Sequence, residues 1–186
     1  SRSSVKVIMQ VVTNSLLTNY TRQGRGKTVL LLHGWGDSIV GLKPLIDSLS
    51  KSHDVIAVDL PGFGGTQAPS TTWGLDDYAS FVEAFMQKIN TKPDVVIGHS
   101  HGGAVAICAL ANGLDSQKLV LLASAGIRGE YKGRIKALLL VTKFGKLLTS
   151  PLPASTKKKL RTKVYSSVGS DMLVAEHLQE TFKKVV

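Results

Sequence analysis

One short stretch of the sequence combines the residue types and the spacing that suit a nucleophile. Ser100 stands between Gly98 and Gly102, an apolar run at 95–97 leads into it, and a second apolar run at 104–111 leads out. The pattern G-x-S-x-G in this setting predicts a buried strand, a sharp turn and a helix. Such a turn holds the serine hydroxyl clear of the backbone, and the positive end of the helix favours negative charge that develops beside it. The alternative interpretation is a tight glycine turn with an incidental serine.

The elements that must hold this serine follow from the hydrophobic pattern of the chain. Short apolar runs predict buried strands at 28–32, 55–58, 95–97 and 119–123, after weaker strand candidates at 5–12 and 16–21. Residues with helical spacing separate the runs, at 42–49, 76–89 and 104–111. This alternation predicts an α/β fold in which helices flank a mostly parallel sheet. His33, Asp59 and Ser100 each follow a predicted strand, at the end where such sheets carry their chemistry.

The net charge of +10 belongs mainly to one part of the chain. Residues 1–127 carry 10 basic and 9 acidic side chains, whereas residues 128–186 carry 13 basic and 4 acidic ones. The second part has helical spacing and no strand pattern. We therefore predict a core at 1–127 and a basic helical cap or insertion at 128–186.

Composition narrows the classes of function and the compartment. The single cysteine, Cys108, cannot form an internal disulfide, and its place in an apolar helix predicts a small core residue. No apolar run reaches the roughly 18 residues of a membrane span, and no signal-peptide pattern opens the chain, so we expect a cytoplasmic protein. The basic charge lacks interleaved aromatic residues, which argues against nucleic-acid binding. The basic, amphipathic stretch 134–148 leaves a weak contact with a membrane surface open.

Three signatures occur together and in order: the loop 33–36 (His-Gly-Trp-Gly), the loop 59–64 (Asp-Leu-Pro-Gly-Phe-Gly) and the turn 98–102 (Gly-His-Ser-His-Gly). Together they resemble the α/β-hydrolase fold superfamily, and most of all its cap-bearing branch of esterases, carbon–carbon hydrolases and haloperoxidases. The resemblance covers residues 16–127 strongly and the predicted cap weakly. A serine at the turn argues against dehalogenases and epoxide hydrolases, which resemble this fold but use an aspartate there.

The resemblance implies a role for particular residues. Ser100 would be the nucleophile, and the backbone N–H groups of Trp35 and His101 would form the oxyanion hole. His33, with Gly34 and Gly36, would support the loop and the pocket, and we interpret His33 as a brace rather than a base. Asp59 is likewise interpreted as a side chain that holds its own loop. The resemblance implies no cofactor, and we expect no metal.

The sequence departs from the superfamily pattern after the nucleophile. In this superfamily the acid and the catalytic histidine follow the serine in that order. After Ser100 the chain offers only His101, which is too close in sequence, and His177, which lies in a helix-like stretch, while Glu130 is a weak candidate for the acid. We therefore expect an incomplete fold, with the acid and the histidine supplied by a missing C-terminal segment or a second chain.

The function that we predict is a serine hydrolase acting on carboxylic esters or related acyl bonds. Its substrate would be a small-molecule ester, anionic if the basic cap contributes to recognition. The alternative is a catalytically inactive binding module, or a fragment, on the same fold.

Overall fold

A six-stranded sheet organises the part of the chain that the computed structural model describes, residues 7–124 together with Leu178, Glu180, Thr181 and Lys184. The elements, in chain order, are β1 (Met9–Thr13), β2 (Leu16–Gln23), β3 (Thr28–Leu32), α1 (Lys43–Leu49), β4 (Asp54–Val58), α2 (Leu75–Lys88), β5 (Val95–His99), α3 (His101–Ala111) and β6 (Lys118–Leu122). The strand order in the sheet is β1-β2-β4-β3-β5-β6. Strands β4, β3, β5 and β6 run parallel, and β1 and β2 are antiparallel to their neighbours. The predicted α/β class with a mostly parallel sheet is confirmed.

The central strands are buried on both faces, which explains their nearly continuous apolar sequences. Alternate residues of β3 and β4 point to opposite faces. Val29 and Leu31 form a buried cluster with Ile46 of α1 on one face. On the other face Tyr20, the register partner of Val58, contacts Phe85 of α2 with ring centroids 5.3 Å apart. Helices therefore cover both faces of the sheet.

Helix α2 forms because its sequence supplies both a buried face and a stabilised start. Tyr78, Phe81 and Phe85 are fully buried on the face that packs on the sheet. Asp77 lies in the first turn, where negative charge suits the helix dipole, and its Oδ2 accepts a 2.6 Å hydrogen bond from the backbone N–H of Gly74. The predicted helix at 76–89 is thereby confirmed to within about a residue at each end.

The side of the sheet next to Ser100 ends in an apolar edge strand. Strand β6 pairs with β5, and within the described residues it has no second neighbour. Leu119, Val120 and Leu122 are 37–40% exposed there. The prediction for Cys108 on the adjoining helix is wrong, because this cysteine is only half-buried and its Sγ lies 3.2 Å from Asp76 Oδ1. Helix α3 is apolar on all sides, so its sequence did not distinguish the covered face from the open one.

The four described residues near the C-terminus lie against the sheet unit. Leu178 is buried beside Gly62, Thr181 Oγ1 accepts a 3.3 Å hydrogen bond from the backbone N–H of Trp73, and Lys184 Nζ lies 3.7 Å from Asp77. The remainder of the predicted cap, with Glu130, His177 and the stretch 134–148, lies outside the described residues. The division into 1–127 and 128–186 therefore stays a prediction. Among the helices of the described part, none has the length and apolarity to cross a bilayer.

Candidate active site

Ser100 occupies a strained turn between β5 and α3. Its φ is +49° and its ψ is −115°, a backbone conformation that a residue with a side chain rarely adopts. The turn is held from both sides, because the Ser100 N–H donates to Leu122 O at 3.0 Å and the Ser100 carbonyl accepts from the Gly103 N–H at 3.0 Å. Ser100 is only half-buried. The sheet therefore presents a serine at its carboxyl edge on a backbone that is fixed rather than flexible.

The glycines around Ser100 are required by close backbone contact. A Cβ on Gly98 would lie 2.5 Å from both Gly102 O and Gly103 Cα. A Cβ on Gly102 would lie 2.4 Å from Leu32 O, at the end of the neighbouring strand β3. Because backbone atoms cannot move aside, only glycine lets the first turn of α3 press against the ends of β5 and β3.

His33 follows β3 and uses both of its ring nitrogens within the fold. Its Nε2 accepts a 2.9 Å hydrogen bond from the Leu60 N–H, which assigns the proton to Nδ1, and Nδ1 donates to Gly34 O at 2.7 Å. The ring is fully buried, and burial lowers its pKa. His33 thus joins the loop after β3 to the loop after β4, and it has no nitrogen left to receive a proton from Ser100.

Asp59 follows β4 and also has its polar atoms engaged. Oδ1 accepts from the Ile39 N–H at 2.7 Å, and Oδ2 accepts from the Gly65 N–H at 2.9 Å. Gly64 turns tightly over the carboxylate with a φ of +53°. The carboxylate therefore joins two loops through hydrogen bonds, as expected of a side chain with a structural role.

Trp35 and His101, whose amides are the predicted oxyanion donors, lie side by side. The loop that carries Trp35 passes close to the nucleophile: a Cβ on Gly34 would lie 3.3 Å from Ser100 Cβ and 3.0 Å from the His99 ring. His101 opens α3, where an N–H has no acceptor inside the helix. The assignment of both amides to an oxyanion hole, like the other site residues, stays a prediction.

A chain of buried rings joins these loops and helices, and sequence reasoning missed it. The rings of Tyr78, His101, Trp35, Phe63 and His33 meet edge-to-face in that order, with centroids 5.0, 5.3, 4.9 and 5.7 Å apart. The five residues come from four segments at irregular spacing, so no regular pattern in the sequence predicts that their rings are in contact. Burial, with a smaller effect of nearby His33, lowers the pKa of His101 to about 4. His101 is therefore neutral at neutral pH.

The described residues also contain a cleft of about 440 Å³, but it lies at the opposite end of β5 from Ser100. Its lining comes from the C-terminal half of α2, from residues 90–93 and from residues 113–115. Its walls hold none of the predicted site residues. Within the described ranges, no group of three or more His, Cys, Asp or Glu side chains is arranged to hold a metal ion.

The sequence and the fold are similar to those of known hydrolases. A sequence model described as alpha/beta hydrolase fold matches residues 27–169. The 2-hydroxy-6-oxo-6-(2'-aminophenyl)hexa-2,4-dienoic acid hydrolase of Metapseudomonas resinovorans is 31% identical over 127 residues, 66% of this chain and 44% of that protein. The crystal structure of a serine hydrolase involved in carbazole degradation, the CarC enzyme, matches with a TM-score of 0.62 and 31% identity over 75% of this chain and 56% of that one.

A membrane phospholipase A, a bacterial virulence factor, matches over 96% of this chain and 62% of its own with a TM-score of 0.72. At 24% identity this is a likeness of fold alone. The chain spans 25–48% of the lengths of the curated relatives that it matches. The family match extends over more than half of the 186 residues. The chain belongs to the alpha/beta hydrolase fold family.

Proposed function

We propose that this chain supplies the nucleophile and the oxyanion donors of a serine hydrolase that cleaves carboxylic esters or related acyl bonds. The observation that carries the proposal is the Ser100 backbone, held at a φ of +49° between a parallel strand and a helix N-terminus. Strain of this kind persists only where the surrounding structure enforces it, and it concentrates at functional sites.

The chemistry follows the usual course of acyl transfer. Ser100 Oγ attacks the carbonyl carbon of the substrate and gives its proton to a base. The carbonyl oxygen becomes an oxyanion that accepts hydrogen bonds from the Trp35 and His101 amides, and each such donor is worth about 3 kcal/mol in the transition state. The leaving alkoxide takes the proton and departs as the alcohol. Water then attacks the acyl-serine, releases the carboxylic acid and restores the hydroxyl of Ser100.

We propose that the base and its acid partner come from a completing segment or chain outside the described residues. His33 cannot be the base, because both of its nitrogens are bonded within the fold. Within the described residues β6 has no neighbour on its outer side, and its exposed leucines and valine lie along an edge on which further parallel strands can pair. The relatives that the chain matches are more than twice as long as the matched stretch, which supports the same proposal.

We also propose that the substrate is a small anionic molecule. The 13 basic against 4 acidic side chains of residues 128–186 give that segment a positive field. One relative is named for a dienoic acid, which is itself a carboxylic acid.

A fluorophosphonate probe tests the proposed function in the complete protein that contains this chain. We expect covalent labelling that Ser100→Ala abolishes. The matched control is Ser116→Ala, which removes a hydroxyl that donates to Lys118 O at 3.2 Å, away from the site residues, and leaves labelling intact. Absence of labelling in the complete, folded protein would contradict the proposal and favour a binding module without catalysis.

A further inference from the structure

The two residues assigned as oxyanion donors contact each other through their side chains. The rings of Trp35 and His101 meet edge-to-face, with centroids 5.3 Å apart and planes at 80°. Both side chains are buried, at 7% and 5% exposure. Edge-to-face pairs have a preferred separation, and a buried pair resists both approach and withdrawal.

The His101 ring also contacts a side chain of α2. The ring of Tyr78 lies 5.0 Å from it at 87°, and the Tyr78 hydroxyl donates to Pro61 O at 3.1 Å. Tyr78 is fully buried, so it is a fixed support. Within the described residues His101 Nε2 is buried and has no hydrogen-bond partner. The contacts with Trp35 and Tyr78 therefore hold the Nε2 side of this ring without a hydrogen bond.

The donors stand next to a close backbone contact, because a Cβ on Gly102 would lie 2.4 Å from Leu32 O. Trp35 lies in the loop after β3, and His101 opens the helix after β5. The register between these parallel strands ends at Leu32 and Gly98, before either donor. The ring contact joins the side chains of the two donor residues directly.

We propose that the side chain of His101 is a positioning residue, whose ring sets the spacing between the Trp35 and His101 amides. The inference rests on the proposed function and extends it from the backbone of His101 to its ring. A misplacement of about 1 Å in a reacting group can cost on the order of 100-fold in rate. Because the oxyanion is absent from the bound substrate and develops only on the way to the tetrahedral intermediate, the loss falls on kcat and spares KM.

Two replacements in the complete protein distinguish the effect of the flat ring of His101 from the effect of its nitrogen atoms. His101→Phe keeps a flat ring between Trp35 and Tyr78, whereas His101→Gln keeps polar atoms and loses the ring. With p-nitrophenyl acetate as substrate, we expect the glutamine variant to lose roughly 10- to 100-fold in kcat with KM within about twofold. The phenylalanine variant should recover most of that loss. Thermal unfolding of each variant verifies that it is folded during the assay, and His101→Leu replaces the glutamine variant if the latter unfolds.

The outcomes distinguish this inference from the proposed function. If the unsubstituted protein shows no hydrolysis that depends on Ser100, the proposed function itself is wrong. If hydrolysis depends on Ser100 and the glutamine variant is active while the phenylalanine variant is not, a ring nitrogen contacts the substrate and the positioning role is refuted. Equal, full activity of both variants also refutes it, because the ring would then serve packing alone.

Discussion

Lowering the pH should decrease the free energy of unfolding, because unfolding lets His101 bind a proton that the folded protein excludes. Burial lowers the pKa of His101 from its ordinary value of 6.5 to about 4. The unfolded chain binds a proton on this ring near pH 6.5, while the folded chain resists protonation until pH 4 is approached. The stability contributed by the neutral, buried ring is therefore complete above pH 6.5 and is lost as the pH falls toward 4.

The size of the loss follows from linkage between folding and proton binding. At about pH 5 the two pKa values predict a decrease of about 2 kcal/mol in the free energy of unfolding, relative to neutral pH. His101→Phe removes the titrating group and keeps the ring contacts. His33 is also buried and its pKa is also lowered, so both proteins lose some further stability from that residue. The difference between the two proteins isolates His101.

Urea unfolding at neutral pH and at about pH 5, followed by tryptophan fluorescence, measures this difference. The chain has 2 tryptophans, and one of them, Trp35, touches the ring in question. We expect the unsubstituted protein to lose about 2 kcal/mol more than the phenylalanine variant between the two conditions. Equal losses would refute the reasoning, because they would mean that the fold does not hold His101 neutral. Equal urea slopes at both pH values are required for the comparison to be valid.

Three further substitutions, together with one control, test how the site and the fold around it are held. Gly98→Ala puts a Cβ 2.5 Å from two backbone atoms of the α3 turn, so we expect a loss of about 3 kcal/mol or more and no probe labelling. Gly41→Ala, whose Cβ meets only a flexible aspartate side chain, should lose less in the same thermal melts. Asp59→Asn keeps one of two charge-assisted acceptors, and denaturant unfolding should register a loss of about 1–3 kcal/mol. Leu178→Ala opens a cavity beside Gly62 and should lower stability by about 2–3 kcal/mol, whereas an undiminished melting temperature would mean that the C-terminal contact is weak.

Local features of the sequence predicted the parallel strands and the turn at Ser100. The strands β3, β4 and β5 were found to within a residue or two, since each is a short apolar run that ends in glycine-rich loop sequence. The turn at Ser100 was predictable from Gly98 and Gly102. Any residue other than glycine at these two positions would place a Cβ against backbone atoms. These features were predictable because each depends on residues that are neighbours in the sequence.

Features that depend on distant pairing were not predictable. The order β1-β2-β4-β3-β5-β6 requires knowledge of which strands meet, and no residue in a strand encodes its neighbour. The ring chain through Tyr78, His101 and Trp35 joins side chains that are far apart in sequence and at no fixed interval. The exposure of Cys108 depended on what covers α3, a property of the surrounding sheet rather than of the helix sequence.

The side of β6 that no described residue covers has a practical consequence for handling the protein. The strand carries one charge, Lys118, followed by four consecutive apolar residues. Edge strands of natural sheets usually carry more charges, a proline or a bulge, which prevent pairing with other chains. Prepared alone at high concentration, the chain should recruit extended peptides, including unfolded copies of itself, and grow into insoluble aggregates. The substitution Val120→Lys should slow this aggregation, and a higher yield of soluble protein than without the substitution would show that the edge strand causes it.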